Sequence, residues 1–111
     1  TYPAGENLNA GRLVVIDGGE AFYFQISNPL HAGRAFGITK SSALTGNDVT
    51  IQPSGIVTDA AFSALTETPV WAIANGQISN TRPAPGLIQK VGFGLGSNKI
   101  LIDFTTQITT I

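Results

Sequence analysis

Any chemistry in this chain would have to centre on His31, its single histidine, with Glu20, Asp48, Asp59 and Asp103 as carboxylates able to act as acid, base or cation ligand. A nucleophile with its base, or a zinc site, ordinarily draws on histidine and cysteine, and the chain has no cysteine. His31 stands between Leu30 and Ala32 in a turn-rich stretch and reads as a solvated loop histidine. The carboxylates sit singly and far apart, so an acid/base pair or a calcium site would need the fold to gather them. No Asp-x-Asp-x-Asp-Gly loop favours calcium. Gly92-Phe93-Gly94-Leu95-Gly96 has the look of a phosphate loop but lacks the G-x-G-x-x-G spacing. A turn and a strand follow it where a helix N-terminus would be required. Trp71, Tyr2 and Tyr23 could form a stacking platform for a sugar, although a lone tryptophan in a β chain more often packs. The sequence therefore predicts no catalytic residue, no metal and no cofactor, and points to a surface rather than a reaction.

Composition supports a binding surface. Only 12% of the 111 residues are charged, against 42% hydrophobic, and 13 are glycine. Charged residues are about half their usual share, and a surface so short of charge suits a chain that lies against other protein. The net charge is −1, with Arg12, Arg34, Lys40, Arg82, Lys90 and Lys99 spread singly. There is no basic stripe for nucleic acid and no polybasic patch for a membrane. Apolar runs are too short for a membrane helix, which needs roughly 20 residues, and the opening residues lack the pattern of a signal peptide. The length supports one domain with one core.

The elements that must build this surface are short strands. Arg12-Leu13-Val14-Val15-Ile16 is β-branched and runs into Asp17-Gly18-Gly19, a hairpin signal because a two-residue type I′ turn needs positive φ at both central positions. In the returning strand Phe22, Phe24 and Ile26 share one face, with Tyr23 and Gln25 on the other. A loop over 27–33 leads to a strand over 34–39 that turns Phe36 and Ile38 inward, its Gly37 marking a bulge or the close approach of another backbone. A polar turn over 41–48 precedes a short strand that Pro53 ends. Residues 56–68 read either as one short helical turn, with Thr58 or Asp59 as cap, or as a crossover.

The organising stretch is 69–104. It reads as a hairpin around Asn75-Gly76, a loop stiffened by Pro83 and Pro85, and a long hairpin turning at Gly96-Ser97-Asn98. Val70, Ala72 and Ala74 alternate there against Trp71 and Ile73, and Trp71 is assigned to the core. The pattern predicts an all-β domain of about eight short strands, a sandwich or barrel with little or no helix. Residues 12–104 form the β domain, 1–11 an extended amino-terminal arm that is either frayed or laid on a neighbour, and 105–111 a carboxy-terminal strand or tail. Candidate contacts to partners or sister subunits are Tyr2 and Leu8 of the arm, Tyr23, then Arg82, Pro83 and Pro85 of the rigid loop. The flat face at Gly92 and Gly94 and the tail residues Ile108 and Ile111 complete the set.

The order of these features resembles the small structural cement, or decoration, proteins of tailed-bacteriophage capsids. The likeness runs through Gly11-Arg12-Leu13-Val14-Val15, His31-Ala32-Gly33-Arg34-Ala35-Phe36-Gly37-Ile38-Thr39 and Val49-Thr50-Ile51-Gln52-Pro53-Ser54-Gly55. It continues in Pro69-Val70-Trp71-Ala72, Asn75-Gly76-Gln77-Ile78, Pro85-Gly86, Gln89-Lys90-Val91-Gly92-Phe93-Gly94 and Ile100-Leu101-Ile102. The resemblance implies a β monomer that assembles as a homotrimer on the capsid exterior, binds the major capsid protein, and has no catalytic residues. Glycine-punctuated β repeats of this kind also occur in phage head-fibre and tail-fibre modules, which would bind carbohydrate receptors.

Overall fold

The first apolar run folds as its pattern requires. In a computed structural model describing residues 1–31, 34–63, 65–81, 87–88, 90–104 and 109–110, β2 (Leu13–Asp17) pairs antiparallel with β3 (Glu20–Tyr23), Asp17 facing Glu20. The tight turn between them is Gly18-Gly19, with φ of 60° and 81°, so positive φ falls one residue later than the Asp-Gly signal suggests. β2 also pairs with β4 (Gly37–Thr39), and β4 with β6 (Ile51–Gln52), giving a four-stranded sheet in the order β3-β2-β4-β6. Gly37 does mark a close approach: a Cβ there would stand 2.7 Å from the Gln52 carbonyl oxygen.

The second sheet comes mainly from the later half of the chain. It has five strands, β7 (Gly55–Thr58), β8 (Pro69–Ala72), β9 (Ile78–Ser79), β11 (Lys90–Gly96) and β12 (Lys99–Ile102), in the order β7-β12-β11-β8-β9. Ser97 and Asn98, at φ 52° and 63°, make the turn between β11 and β12. Asn75 and Gly76, at φ 58° and 68°, end the 3-10 turn that links β8 to β9. Two small ribbons complete the set: β1 (Tyr2–Pro3) with β5 (Asp48–Val49), and β10 (Leu87–Ile88) with β13 (Thr109–Thr110). The chain is thus all-β, with antiparallel sheets and no α-helix among the described residues. Among the described residues the 13 strands exceed the expected eight because several are pieces of two residues. Within 56–68 both readings hold in part: Ile56 and Val57 lie in β7, and the helical turn is the 3-10 turn Ala60–Phe62, whose Asp59 carboxylate accepts the Ala61 N–H at 2.8 Å.

Packing explains why Leu13, Val14 and Val15 are all buried, since a strand covered on both faces reads as a continuous apolar run. On one face Leu13, Val15, Phe24 and Ile38 meet Val57, Val70, Ala72, Val91, Ile100 and Ile102 of the five-stranded sheet, with Phe22 and Ile26 packed alongside. On the other face Val14 and Ala21 meet Ala4, Leu8, Ala43 and Val49. The four-stranded sheet is therefore the middle layer.

Three expectations change. Residues 1–11 are not an arm: Ala4 and Leu8 are 0% and 2% exposed, and Leu8 exchanges N–H···O bonds with Ala43 at 2.8 and 2.9 Å. Trp71 lies half-buried rather than in the core, because Val70 and Ala72 take the inward positions of β8. Phe36 is only half-buried and meets Tyr2 edge to face, with ring centroids 5.3 Å apart.

Candidate interaction surfaces

Since Val57, Ile100, Ile102, Val91 and Val70 point into the core, the alternate residues of the same strands face outward. The register places Ile56 opposite Leu101, Leu101 opposite Phe93, and Phe93 opposite Pro69, one apolar row across four strands. Ile56 and Leu101 are 55% and 38% exposed, and Leu95 beyond them 41%. The Lys90 Nζ stands 4.0 Å from the centre of the Phe93 ring, and Lys90 lies opposite Trp71. Lys99 and Asp103 are exposed at the outward positions of β12 and just beyond it. This row carries aliphatic and aromatic side chains where a wet sheet face would carry Thr, Lys or Glu. Access to the neighbouring edge is restricted, because Gln52 Nε2 donates to the Ile56 and Ser54 carbonyls at 2.9 and 2.7 Å and covers acceptors that an added strand would seek.

Among the residues singled out from sequence, Tyr2 is half-buried on Phe36, and Tyr23 is half-buried with its hydroxyl accepting the Asn9 N–H at 2.7 Å. Leu8 is inside the second core cluster and, at 2% exposed, offers almost no surface to a partner. Gly92 and Gly94 are buried, and their missing side chains are used within the chain. A Cβ on Gly92 would overlap the Leu101 carbonyl, and one on Gly94 the Thr66 carbonyl, while the Gly94 N–H bonds Thr68 O at 3.0 Å. The flat strip admits the chain's own segment 66–68 instead of a second subunit. Arg82, Pro83, Pro85, Ile108 and Ile111 lie outside the described residues.

His31 is not a freely solvated loop residue. It ends the 3-10 turn Pro29–His31, is half-buried, and its Nδ1 accepts the Gln25 N–H at 2.9 Å with the ring tilted 5.7 Å from Phe24. Burial, and then the neighbouring Arg34 guanidinium, hold its pKa below the ordinary histidine value. Both favour the neutral ring, the form in which Nδ1 is an acceptor. Among the described residues no three acidic or histidine side chains gather into a cation cage. Asp59 is engaged as a cap.

The outward row is what sequence reading passed over. Its signal was present in Lys99-Ile100-Leu101-Ile102, where the position that should alternate to solvent holds leucine.

Comparison with protein-family models, with curated proteins and with solved structures gave no match.

Proposed function

We propose that this chain is a decoration, or structural cement, protein of a tailed-bacteriophage capsid, a homotrimer that sits on the outside of the head and binds the major capsid protein. The observation carrying the reading is the outward apolar row of Ile56 and Leu101, both exposed, with Phe93 and Pro69, both half-buried, on a chain with only 12% charged residues. Such a row favours contact with protein over solvent, while Lys90, Lys99 and Asp103 around it would lie at the hydrated rim of a docked interface. Four strands at ~4.8 Å spacing make a strip well short of the ~800 Å² per partner of a standard interface. One copy alone would bind weakly. Three copies in a trimer, each engaging a capsid subunit, would gain avidity through effective concentration and clip those subunits together.

The test is to add the purified chain to heads that lack it and measure both binding and resistance to heat. Saturable binding with a raised disruption temperature supports the proposal, and failure to bind counts against it.

A fibre module that binds bacterial polysaccharide is the second reading, favoured by Trp71 standing half-buried on a strand face instead of in the core. A change in Trp71 fluorescence on adding host polysaccharide, without head binding, would select it.

A further inference from the structure

Arg12 and Gln77 share the wall of a cleft of about 200 Å³ with Gly11, Ala61, Phe62, Ile73 and Ile78. What distinguishes Arg12 is how firmly it is held. Its backbone N–H donates to the buried Thr39 hydroxyl at 3.0 Å, and that hydroxyl donates to Asn9 O at 2.7 Å. Its guanidinium lies 5.4 Å from the centre of the Tyr23 ring and donates through Nη1 to the Asn75 carbonyl at 3.2 Å. Both supports are themselves fixed. Tyr23 Oη accepts the Asn9 N–H at 2.7 Å, and Asn75 exchanges two hydrogen bonds with Gln25, Nε2 to Oδ1 at 2.9 Å and backbone N–H to Oε1 at 3.0 Å. Gln25 is tied in turn to His31.

No carboxylate among the described residues lies within ion-pair distance of Arg12; the one salt bridge found among them joins Arg34 to Asp17. Asp59, near Gly11, is occupied by the Ala61 N–H. A guanidinium has five N–H donors in a fixed fork suited to a carboxylate. Here the guanidinium is held in place on a residue that lines the cleft together with the Gln77 amide and the side chains of Ile73 and Ile78. The volume lies below the ~300 Å³ of drug-sized pockets.

We propose that this cleft binds a carboxylate carried on a short branched apolar body. Arg12 takes the carboxylate, Gln77 supplies a further hydrogen bond, and Ile73 and Ile78, both half-buried, receive the apolar part. The same chemistry is offered by a free branched-chain acid and by the last residue of a peptide ending in leucine.

The experiment is an amide-resolved NMR titration of the full chain with three probes: 4-methylpentanoate, acetyl-Gly-Gly-Leu with a free carboxylate, and 4-methylpentanamide as the uncharged control. The proposal expects saturable shifts at Gly11, Arg12, Ala61, Gln77 and Ile78 with at least one of the acids, and at least tenfold weaker binding of the amide. Response to the free acid alone or to the peptide as well identifies the source. Arg12→Gln should lower affinity at least tenfold. Ala61→Leu, which fills the cleft and leaves Arg12 in place, should abolish binding even where Arg12→Gln perturbs the fold. The proposal is overturned if neither acid shifts these residues, if the amide binds as well as the acids, or if Ala61→Leu binds like the parent.

Discussion

Leu8→Ala tests directly whether the first residues belong to the fold. Leu8 is 2% exposed and packed with Ala4, Val14, Ala21, Ala43 and Val49. Removing its three outer carbons loses about 2–2.5 kcal/mol of transfer free energy, at ~0.8 kcal/mol for each buried methylene-sized group. A sealed cavity would add to this, and core Leu→Ala changes reach about 5 kcal/mol. Leu8 also lines a shallow cleft with Asn7, Asn9, Ser42, Ala43, Leu44, Asn47 and Asp48, so the vacated space opens toward solvent and the cavity contribution is small. The expected loss is therefore about 2–3 kcal/mol. Urea unfolding followed by Trp71 fluorescence should show the midpoint falling by roughly 1–2 M, for a slope of about 1.5–2 kcal/mol/M, in the middle of the usual ~1–3. A midpoint shifted by less than about 0.3 M would mean that Leu8 contributes nothing to the core, and the layer formed by residues 1–11 would have to be abandoned.

Three other substitutions probe separate parts of the account. Gly94→Ala drives a Cβ into the Thr66 carbonyl and should cost about 2–3 kcal/mol, seen as a lowered thermal midpoint; a neutral result would remove segment 66–68 from that strip. Thr39→Val leaves the Arg12 N–H and the Asn9 carbonyl without the hydroxyl between them, with an expected loss of about 1–3 kcal/mol in urea unfolding. His31 gives a pH dependence whose sign follows from its lowered folded-state pKa. Its contribution is full above the unfolded value of about 6.5 and is lost as pH falls through the folded value, because the unfolded chain binds the proton more readily. The urea midpoint should fall as pH is lowered through and below the unfolded value of about 6.5, and His31→Gln should flatten that slope; an unchanged slope in the variant would exclude His31 as its source.

The parts of the fold legible in the sequence are those set by neighbours along the chain. Gly18-Gly19, Ser97-Asn98 and Asn75-Gly76 specify their turns through positive φ, and the alternation of Phe22, Phe24 and Ile26 identifies the face that meets the core. The second core layer was not legible, because the pairing of Leu8 with Ala43 and of Tyr2 with Val49 joins segments remote in sequence that have little periodicity of their own. Glycine at 94 announced a close approach but not its partner, and the partner is the chain itself. The outward row was passed over for a related reason. A leucine at position 101 has the same local pattern whether its strand is covered on both faces or on one, and only the assembled sheet shows Ile56, Phe93 and Pro69 beside it.

The measurement bearing most directly on the central claim is cosedimentation of the full chain with phage heads lacking it, run alongside Leu101→Glu. Leu101 is 38% exposed, so the variant should keep its stability to within about 0.5 kcal/mol while placing a charge in the middle of the row. The account predicts that the parent chain pellets saturably with the heads and that a folded Leu101→Glu stays largely in the supernatant. A parent chain that remains in the supernatant, or a variant that pellets equally well, would contradict it.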